Sequence, residues 1–397
     1  MSIKNKLALI GVNVGLTALL LGGLEFAASF VVTLPRSHML SSYQLNHRYR
    51  PNTSRVSTLW VADNPEFREP YEHAYNAQGW LERYDVKKEK PEGTFRVFYL
   101  GDSFTAGTVH MDGSVPSVVE KALNESGDPG RRIEVINAGT ESYSPIIHYV
   151  LLRYVLMEYD PDLIVLDVDM TDDLDDWRYQ QTAVFDEDGN PVAVPPQDAG
   201  RSGYVQTAAG LESPTWSTRL RLFLYNRSHL YNGVADRFGG GATADPSPAA
   251  AGDGFIYRRW AWCQFEWDEA TEEQVGKTLD WIARIIDFAH DSDVSIMVTA
   301  VPHYQQYHGS PALPLWSPRP HYEIERVALE HGAAYLNSYE ALRDRILGTD
   351  QMYYYYRLDM HFNPRGYALW AGAHIEFLQD PANGLLPESF LTDAGPQ

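Results

Sequence analysis

Apolar and polar positions divide the chain into three regimes. From Leu7 to Val32 it is almost wholly apolar, broken only by Asn13, Glu25 and small residues, with Lys4 and Lys6 before the run and Arg36 after it. A helix of that length crosses the ~30 Å hydrocarbon core of a bilayer with room to tilt. Residues 37–93 are polar, aromatic and punctuated, with "HRYRPNT" at 47–53 and "YNAQGW" at 75–80. They read as a membrane-proximal extended segment of short strands and turns, closed by the charged linker "VKKEKPEG" at 86–93.

From residue 94 onward, short apolar runs alternate with amphipathic ones. Arg96–Leu100, Glu134–Asn137, Leu163–Asp167, Val294–Val301 and Ala333–Leu336 have the length and continuity of buried parallel strands. Between them, Ile147–Tyr159 repeats Leu, Val and Tyr every three or four residues. Thr271–His290 places Val275, Leu279, Ile282, Ile286 and Phe288 mostly on one face. Alternation of this kind predicts an α/β domain over 94–397, its parallel sheet covered on both sides. One region interrupts it: 178–256 holds a hairpin-like turn in "FDEDGNPV" (185–192), a helical stretch at 217–238 and the low-complexity loop "GGGATADPSPAAAGDG" at 239–254. This is an insertion between the third and fourth strands.

The lysines ahead of the N-terminal run favour a cytoplasmic stub and anchor over 1–36, with the main domain periplasmic or extracellular. A cleaved signal peptide would cut near Ala27-Ala28-Ser29, but its apolar core is usually only about 7–15 residues long. Glu25 is costly in lipid, so it is expected at the outer interface or against a membrane-protein partner at the anchor helix. The net charge of −21, from 53 acidic and 32 basic residues, argues against nucleic acid as a partner. The single cysteine, Cys263, excludes an intrachain disulfide and a multi-cysteine metal site; its Trp260, Trp262 and Phe265 neighbours suggest a core position.

Two stretches carry candidate chemistry. In "VFYLGDSFTAG" (97–107), Ser103 follows a strand and precedes a helix, at the carboxyl edge of the sheet where open α/β folds bind ligands. In "RLDMHFNPRGYALWAGAHIEFL" (357–378), Asn363 and Pro364 read as a helix cap and first helical residue. That places His361 in the preceding loop with Asp359 two residues upstream, a base and an orienting carboxylate able to serve a distant serine. His303 and His308, in the loop after the fourth strand, are expected to bind backbone rather than substrate. "YYYYR" (353–357) is expected to pack against the body.

These blocks resemble the SGNH/GDSL hydrolase family, over roughly Thr94 to Leu378, and 47–83 resembles the lead-in of its membrane-anchored bacterial members. "FYLGDSFTAG" resembles the nucleophile block, "VINAGTESYS" (135–144) the glycine block and "LDMHFNPRGY" the terminal block. The resemblance implies a flavodoxin-like three-layer αβα sandwich and hydrolysis or transfer of an acyl group. It makes Ser103 the nucleophile, His361 the base, Asp359 its partner and the Gly139 amide an oxyanion donor. It implies no metal and no organic cofactor. The implied activity is that of a membrane-anchored exoplasmic serine esterase or O-acyltransferase, acting on an acylated substrate such as a cell-envelope glycan.

One block departs from the family. Where such proteins carry Gly-x-Asn-Asp or Gly-Asn-Asp, this chain reads "VLDVDMTDDLDD" (165–176), which aligns Thr171 with the glycine and Asp172 with the oxyanion-binding asparagine. An ionised Asp172 only accepts hydrogen bonds and repels an oxyanion. Thr171 can substitute as donor, burial can protonate Asp172, or catalysis is lost and the fold serves as an accessory subunit of a membrane complex. Asp167, Asp169, Asp172, Asp173, Asp175 and Asp176 crowd into this run. Their spacing is not that of an EF-hand, and a solvated or helix-capping acidic loop is expected.

Overall fold

The structure, a computed structural model, describes residues 2–32, 38–57, 70–125, 131–196, 206–207, 210–211, 220, 223–224, 227–238, 259–308, 315–356 and 360–391. Five parallel strands form the central sheet: β1 (Thr94–Leu100), β2 (Arg132–Asn137), β3 (Leu163–Val168), β4 (Ser295–Ala300) and β5 (Ala334–Leu336). Their spatial order is β2-β1-β3-β4-β5, the flavodoxin-like order. Each predicted run is a strand, with ends shifted by no more than two residues.

Strand periodicity explains why both faces are dry. In β1, Val97 and Tyr99 face one side with Leu163 and Val165 of β3, while Phe98 and Leu100 face the other with Ile164 and Leu166. The first side is covered by α3 (Val115–Glu125), α9 (Ser338–Leu347) and α10 (Pro364–Gln379). The second is covered by α4 (Pro145–Tyr154), α7 (Glu269–Asp291) and α8 (Arg319–Glu330). The helix expected over 147–159 starts two residues earlier and ends at Tyr154; a 3₁₀ turn takes over at Leu156–Tyr159.

The segment before β1 packs onto the β2 edge. Two antiparallel pairs, Met39–Ser41 with His47–Tyr49 and Thr53–Ser57 with Tyr71–Tyr75, lie there. Tyr49 stacks on Tyr75 at 4.3 Å and joins Leu81, Ala106 and Met111 in a small third core. The Asn137 amide donates to Glu82 Oε1 at 2.9 Å, and the Leu81 amide donates to the Asn137 carbonyl at 3.1 Å. These bonds fasten the segment to the strand leading into the glycine block.

In the insertion, Val184–Phe185 pairs antiparallel with Pro191–Ala193 around the predicted turn, and α6 spans His229–Phe238. The low-complexity loop lies outside the described residues. The N-terminal helix α1 (Ile3–Ala28) includes one stretch, Leu9–Ala28, long and apolar enough to cross a membrane, with none of it buried in the protein. Glu25 on this helix meets the chain's own insertion at Ser228, His229 and Leu230.

Candidate active site

The strand order reverses between β2 and β3 on either side of β1, and the crevice at such a reversal is the usual ligand site of this architecture. Ser103 stands at that edge as the first residue of α2 (Ser103–Ala106). Asp102 caps the short helix, its Oδ1 accepting the Phe104 amide at 2.8 Å. Two residues before Ser103, Gly101 leaves room for a side chain behind it: a Cβ there would lie 2.0 Å from Thr105 Oγ1. Thr105 uses that space to donate to Asp167 Oδ2 at 2.6 Å, which pins α2 to β3.

His361 comes from the other end of the chain. Asn363 caps α10 as predicted, its Oδ1 accepting from the Arg365 and Gly366 amides at 2.9 and 3.2 Å. The His361 carbonyl accepts the Tyr356 amide at 3.1 Å, and Tyr355 pairs with Phe362 across the loop. Tyr355 and Tyr356 are both buried, so this part of the tyrosine run packs inward. Held from both sides, the His361 ring lies 4.4 Å from that of Phe104, centroid to centroid, with Nε2 2.7 Å from Ser103 Oγ. A serine hydroxyl donating to a neutral imidazole nitrogen at this distance is poised for general-base activation. Asp359, the expected orienting carboxylate, lies outside the described residues.

Gly139 lies against α2. A Cβ at this position would come within 2.6 Å of the Ala106 amide nitrogen and 2.8 Å of Thr105 Cβ. The Gly139 N–H donates to Asn137 Oδ1 at 3.1 Å. Replacing Gly139 with alanine pushes α2 away from β2. The expected cost is about 1–3 kcal/mol of stability, read by denaturant titration, with a loss of reactivity at Ser103 that outlasts correction for the unfolded fraction.

Of the two forms expected for the acidic run, a solvated or a helix-capping loop, the solvated one does not hold, while Asp172, Asp173 and Asp175 do fall in the first turn of a helix. Asp172 begins α5 (Asp172–Gln180), and Asp169, Asp172, Asp173, Asp175 and Asp176 are all buried. Hydrogen-bond donors offset the burial of Asp169, Asp172 and Asp176. Both Asp173 oxygens, by contrast, are buried without a side-chain partner, and burial drives that carboxyl well above the ordinary range. Asp176 Oδ1 accepts from Ser144 Oγ at 2.6 Å and the Ile146 amide at 2.9 Å, and Oδ2 accepts from Thr278 Oγ1 at 2.8 Å, so one carboxyl ties α4, α5 and α7 together. Burial pushes Asp176 up to about 7 and Asp167 up to about 8. Burial and the Asp169 charge push Asp102 up to about 7. Asp172 is driven well above the ordinary carboxylate range, first by burial and then by Asp169, Asp102, Asp176 and Asp175.

Asp169 is the exception, and its partner is His303, which binds this buried carboxylate rather than the backbone its loop position predicts. His303 Nε2 lies 2.6 Å from Asp169 Oδ1, and both side chains are fully buried. Burial opposes ionisation of Asp169, but His303 and the Thr171 hydroxyl, 2.5 Å away, hold it down at about 2. The His303 ring also packs 5.3 Å from Phe104, the neighbour of Ser103. Register explains the meeting. Val168 is paired with Ala300, so Asp169 and His303 leave adjacent strands at one level. His308, by contrast, meets the Ile346 carbonyl at 3.3 Å as expected of a loop histidine, and Cys263 is buried in the core.

No family model matches the chain, and no curated protein matches it. Solved structures do resemble it, with TM-scores near 0.4. Axe2, an acetylxylan esterase from Geobacillus stearothermophilus, aligns at 10% identity over 71% of this chain and 93% of its own, with a TM-score of 0.41. CEX, a two-domain esterase active on acetylated mannans, aligns at 10% identity over 77% and 52%, with a TM-score of 0.39. LAE5, an alpha/beta hydrolase enzyme from the metagenome of Lake Arreo, Spain, aligns at 12% identity over 74% and 97%, with a TM-score of 0.38.

Proposed function

We propose that the protein is a serine esterase or O-acyltransferase of the SGNH type, anchored by residues 7–32 with its catalytic domain on the exoplasmic side. Its proposed substrate is an acyl ester, such as that of a cell-envelope glycan. The observation that carries this reading is the 2.7 Å approach of Ser103 Oγ to His361 Nε2 at the sheet's switch point. In the proposed reaction the Ser103 proton passes to His361 Nε2 as Oγ bonds to the acyl carbon, and the carbonyl π pair moves onto oxygen. Collapse of the tetrahedral species expels the alcohol, which takes the proton back from His361. Water, or a second hydroxyl in the transferase case, then attacks the acyl-serine with His361 again as base. The Ser103 and Gly139 amides are the proposed backbone donors to the oxyanion, and Asp359 is the proposed partner of His361.

A second reading has its own observation. The Gly139 N–H is engaged by Asn137, and Asp172 Oδ2 accepts the Asp169 amide at 3.1 Å, so two of the positions assigned to the oxyanion are occupied within the protein. An accessory subunit that keeps the hydrolase fold without turnover accounts for both. A fluorophosphonate probe separates the two readings. The enzyme is expected to form a covalent adduct that peptide mass spectrometry places on Ser103, and to release acid from a short-chain aryl ester. Folded protein that takes up no probe and cleaves no ester would point to the accessory subunit.

A further inference from the structure

A carboxylate near the end of a membrane-length helix needs a partner, and Glu25 has one within the chain. Its Oε2 accepts from Ser228 Oγ at 2.6 Å and from the Leu230 amide at 3.1 Å. Its Oε1 accepts from the His229 amide at 2.6 Å and lies 3.0 Å from His229 Nδ1. These are the first amides of α6, which an isolated helix leaves unpaired and which favour a negative charge. The Ser228 hydroxyl also accepts the Tyr231 amide at 3.0 Å, so Ser228 and Glu25 together form the helix cap. One turn on, α6 comes close to the anchor: a Cβ on Gly233 would lie 3.0 Å from Val32 Cγ2.

The contact fixes the depth of α6. Leu9–Ala28 is 20 residues long and, at about 1.5 Å per residue, fills the hydrocarbon core of a bilayer, which puts Glu25 at its outer boundary. Whatever holds Glu25 sits at that boundary too. The same part of the insertion exposes apolar side chains: Phe223 is 56% exposed and Val234 51%, beside Phe26, Phe30 and Val31 on the anchor at 68%, 72% and 83%. Arg227 lies over the Phe223 ring at 5.7 Å, a cation beside an apolar residue, as at membrane interfaces.

We propose that α6, with Phe223 and Arg227 ahead of it, forms an interfacial foot seated in the outer leaflet, latched to the anchor by Glu25, and that a phospholipid surface covers Phe223 and Val234. The latch also ties the N-terminal helix to the folded domain and gives the chain a structural use for it after export. The inference rests on the reading of residues 7–32 as a retained anchor.

The test uses the full chain in phosphatidylcholine nanodiscs containing a lipid with a nitroxide high on its acyl chain. A bimane label is attached at Phe223→Cys or Val234→Cys, with Leu329→Cys on the domain body as control; Cys263 is buried, and unsubstituted protein gives its background. The expected result is fluorescence lowered about twofold or more at 223 and 234 but not at 329, since an interfacial helix sits about 5–10 Å into the headgroup boundary. Adding Glu25→Ala is expected to relieve that quenching while the protein stays in the disc, and Glu25→Gln, which still accepts through one oxygen, to relieve it partly. Protein retained in the disc with 223 and 234 unquenched overturns the foot and leaves the anchor standing. Quenching that Glu25→Ala does not change overturns the latch. Protein that leaves the disc, with a mature N-terminus beyond residue 29, overturns the anchor and the foot together.

Discussion

Ser103→Ala and His361→Ala are each expected to lower acyl-ester turnover by about four to six orders of magnitude, and the double variant is expected to be no slower than either. Non-additivity follows from the geometry. The two groups share one proton across 2.7 Å, so removing either member removes the same activated nucleophile. The residual rate, about 10³–10⁴ over water, would come from binding and backbone donors, which neither change touches. Folding should be nearly unaffected by Ser103→Ala, because α2 is held by the Asp102 cap and the Thr105–Asp167 bond rather than by the serine hydroxyl. Asp359→Asn is the companion variant; if Asp359 orients His361, turnover falls by about 10⁴ while substrate affinity holds. The measurements are burst and steady-state release from an aryl acetate and acetate release from an acetylated oligosaccharide, with melting temperature as the folding control. Turnover in Ser103→Ala within tenfold of the parent would place the nucleophile elsewhere and sink the proposed mechanism.

The sequence reports this fold well where burial is two-sided and poorly where polar groups meet across the sheet. Runs such as Leu163–Asp167 are readable because a parallel strand covered by helices tolerates little on either face but Val, Leu and Ile. Ser103 and His361 are readable because each sits at an element boundary with its own local grammar, Gly-Asp before one and an Asn-Pro cap after the other. Nothing local marks the Asp169–His303 pair. The two residues lie 134 apart and are brought together only by the register of β3 on β4, which neither segment encodes alone. The acidic run misleads for a different reason. Six carboxylates in ten residues look solvated because ionised carboxylates repel, whereas most of those here are driven above the ordinary carboxylate range, first by lost solvent and then by neighbouring charge. Glu25 is likewise flagged as anomalous by its place in an apolar run, but its partners lie some 200 residues away in an insertion with weak periodicity.

Asp172 is the position where chemistry and sequence pull hardest in opposite directions, and its variants carry the second large effect. Asp172→Asn is expected to match or exceed the parent, and Asp172→Ala to lose about a hundred- to thousandfold, the usual consequence of removing one oxyanion donor. The parent side chain receives the Asp169 amide on Oδ2. Asparagine can keep that bond through its own oxygen and present its NH₂ where the aspartate presents its second oxygen. The aspartate itself can donate only while protonated. Burial, reinforced by Asp169, Asp102, Asp176 and Asp175, drives Asp172 well above the ordinary carboxylate range and so toward that neutral form. Asp169 keeps its charge through His303, with Arg259 also favouring ionisation, and Asp102 feels the imidazole of His361. The sign of the pH profile follows. Turnover falls as pH passes the raised pKa of Asp172 and its donor is lost. In Asp172→Asn that alkaline fall should vanish. If Asp172→Ala is as active as the parent, the oxyanion is met by groups other than Asp172, and not by the Thr171 hydroxyl, which donates to Asp169. If the parent is inert and Asp172→Asn gains turnover, the nucleophile and base are in working order and the carboxylate alone has silenced the site.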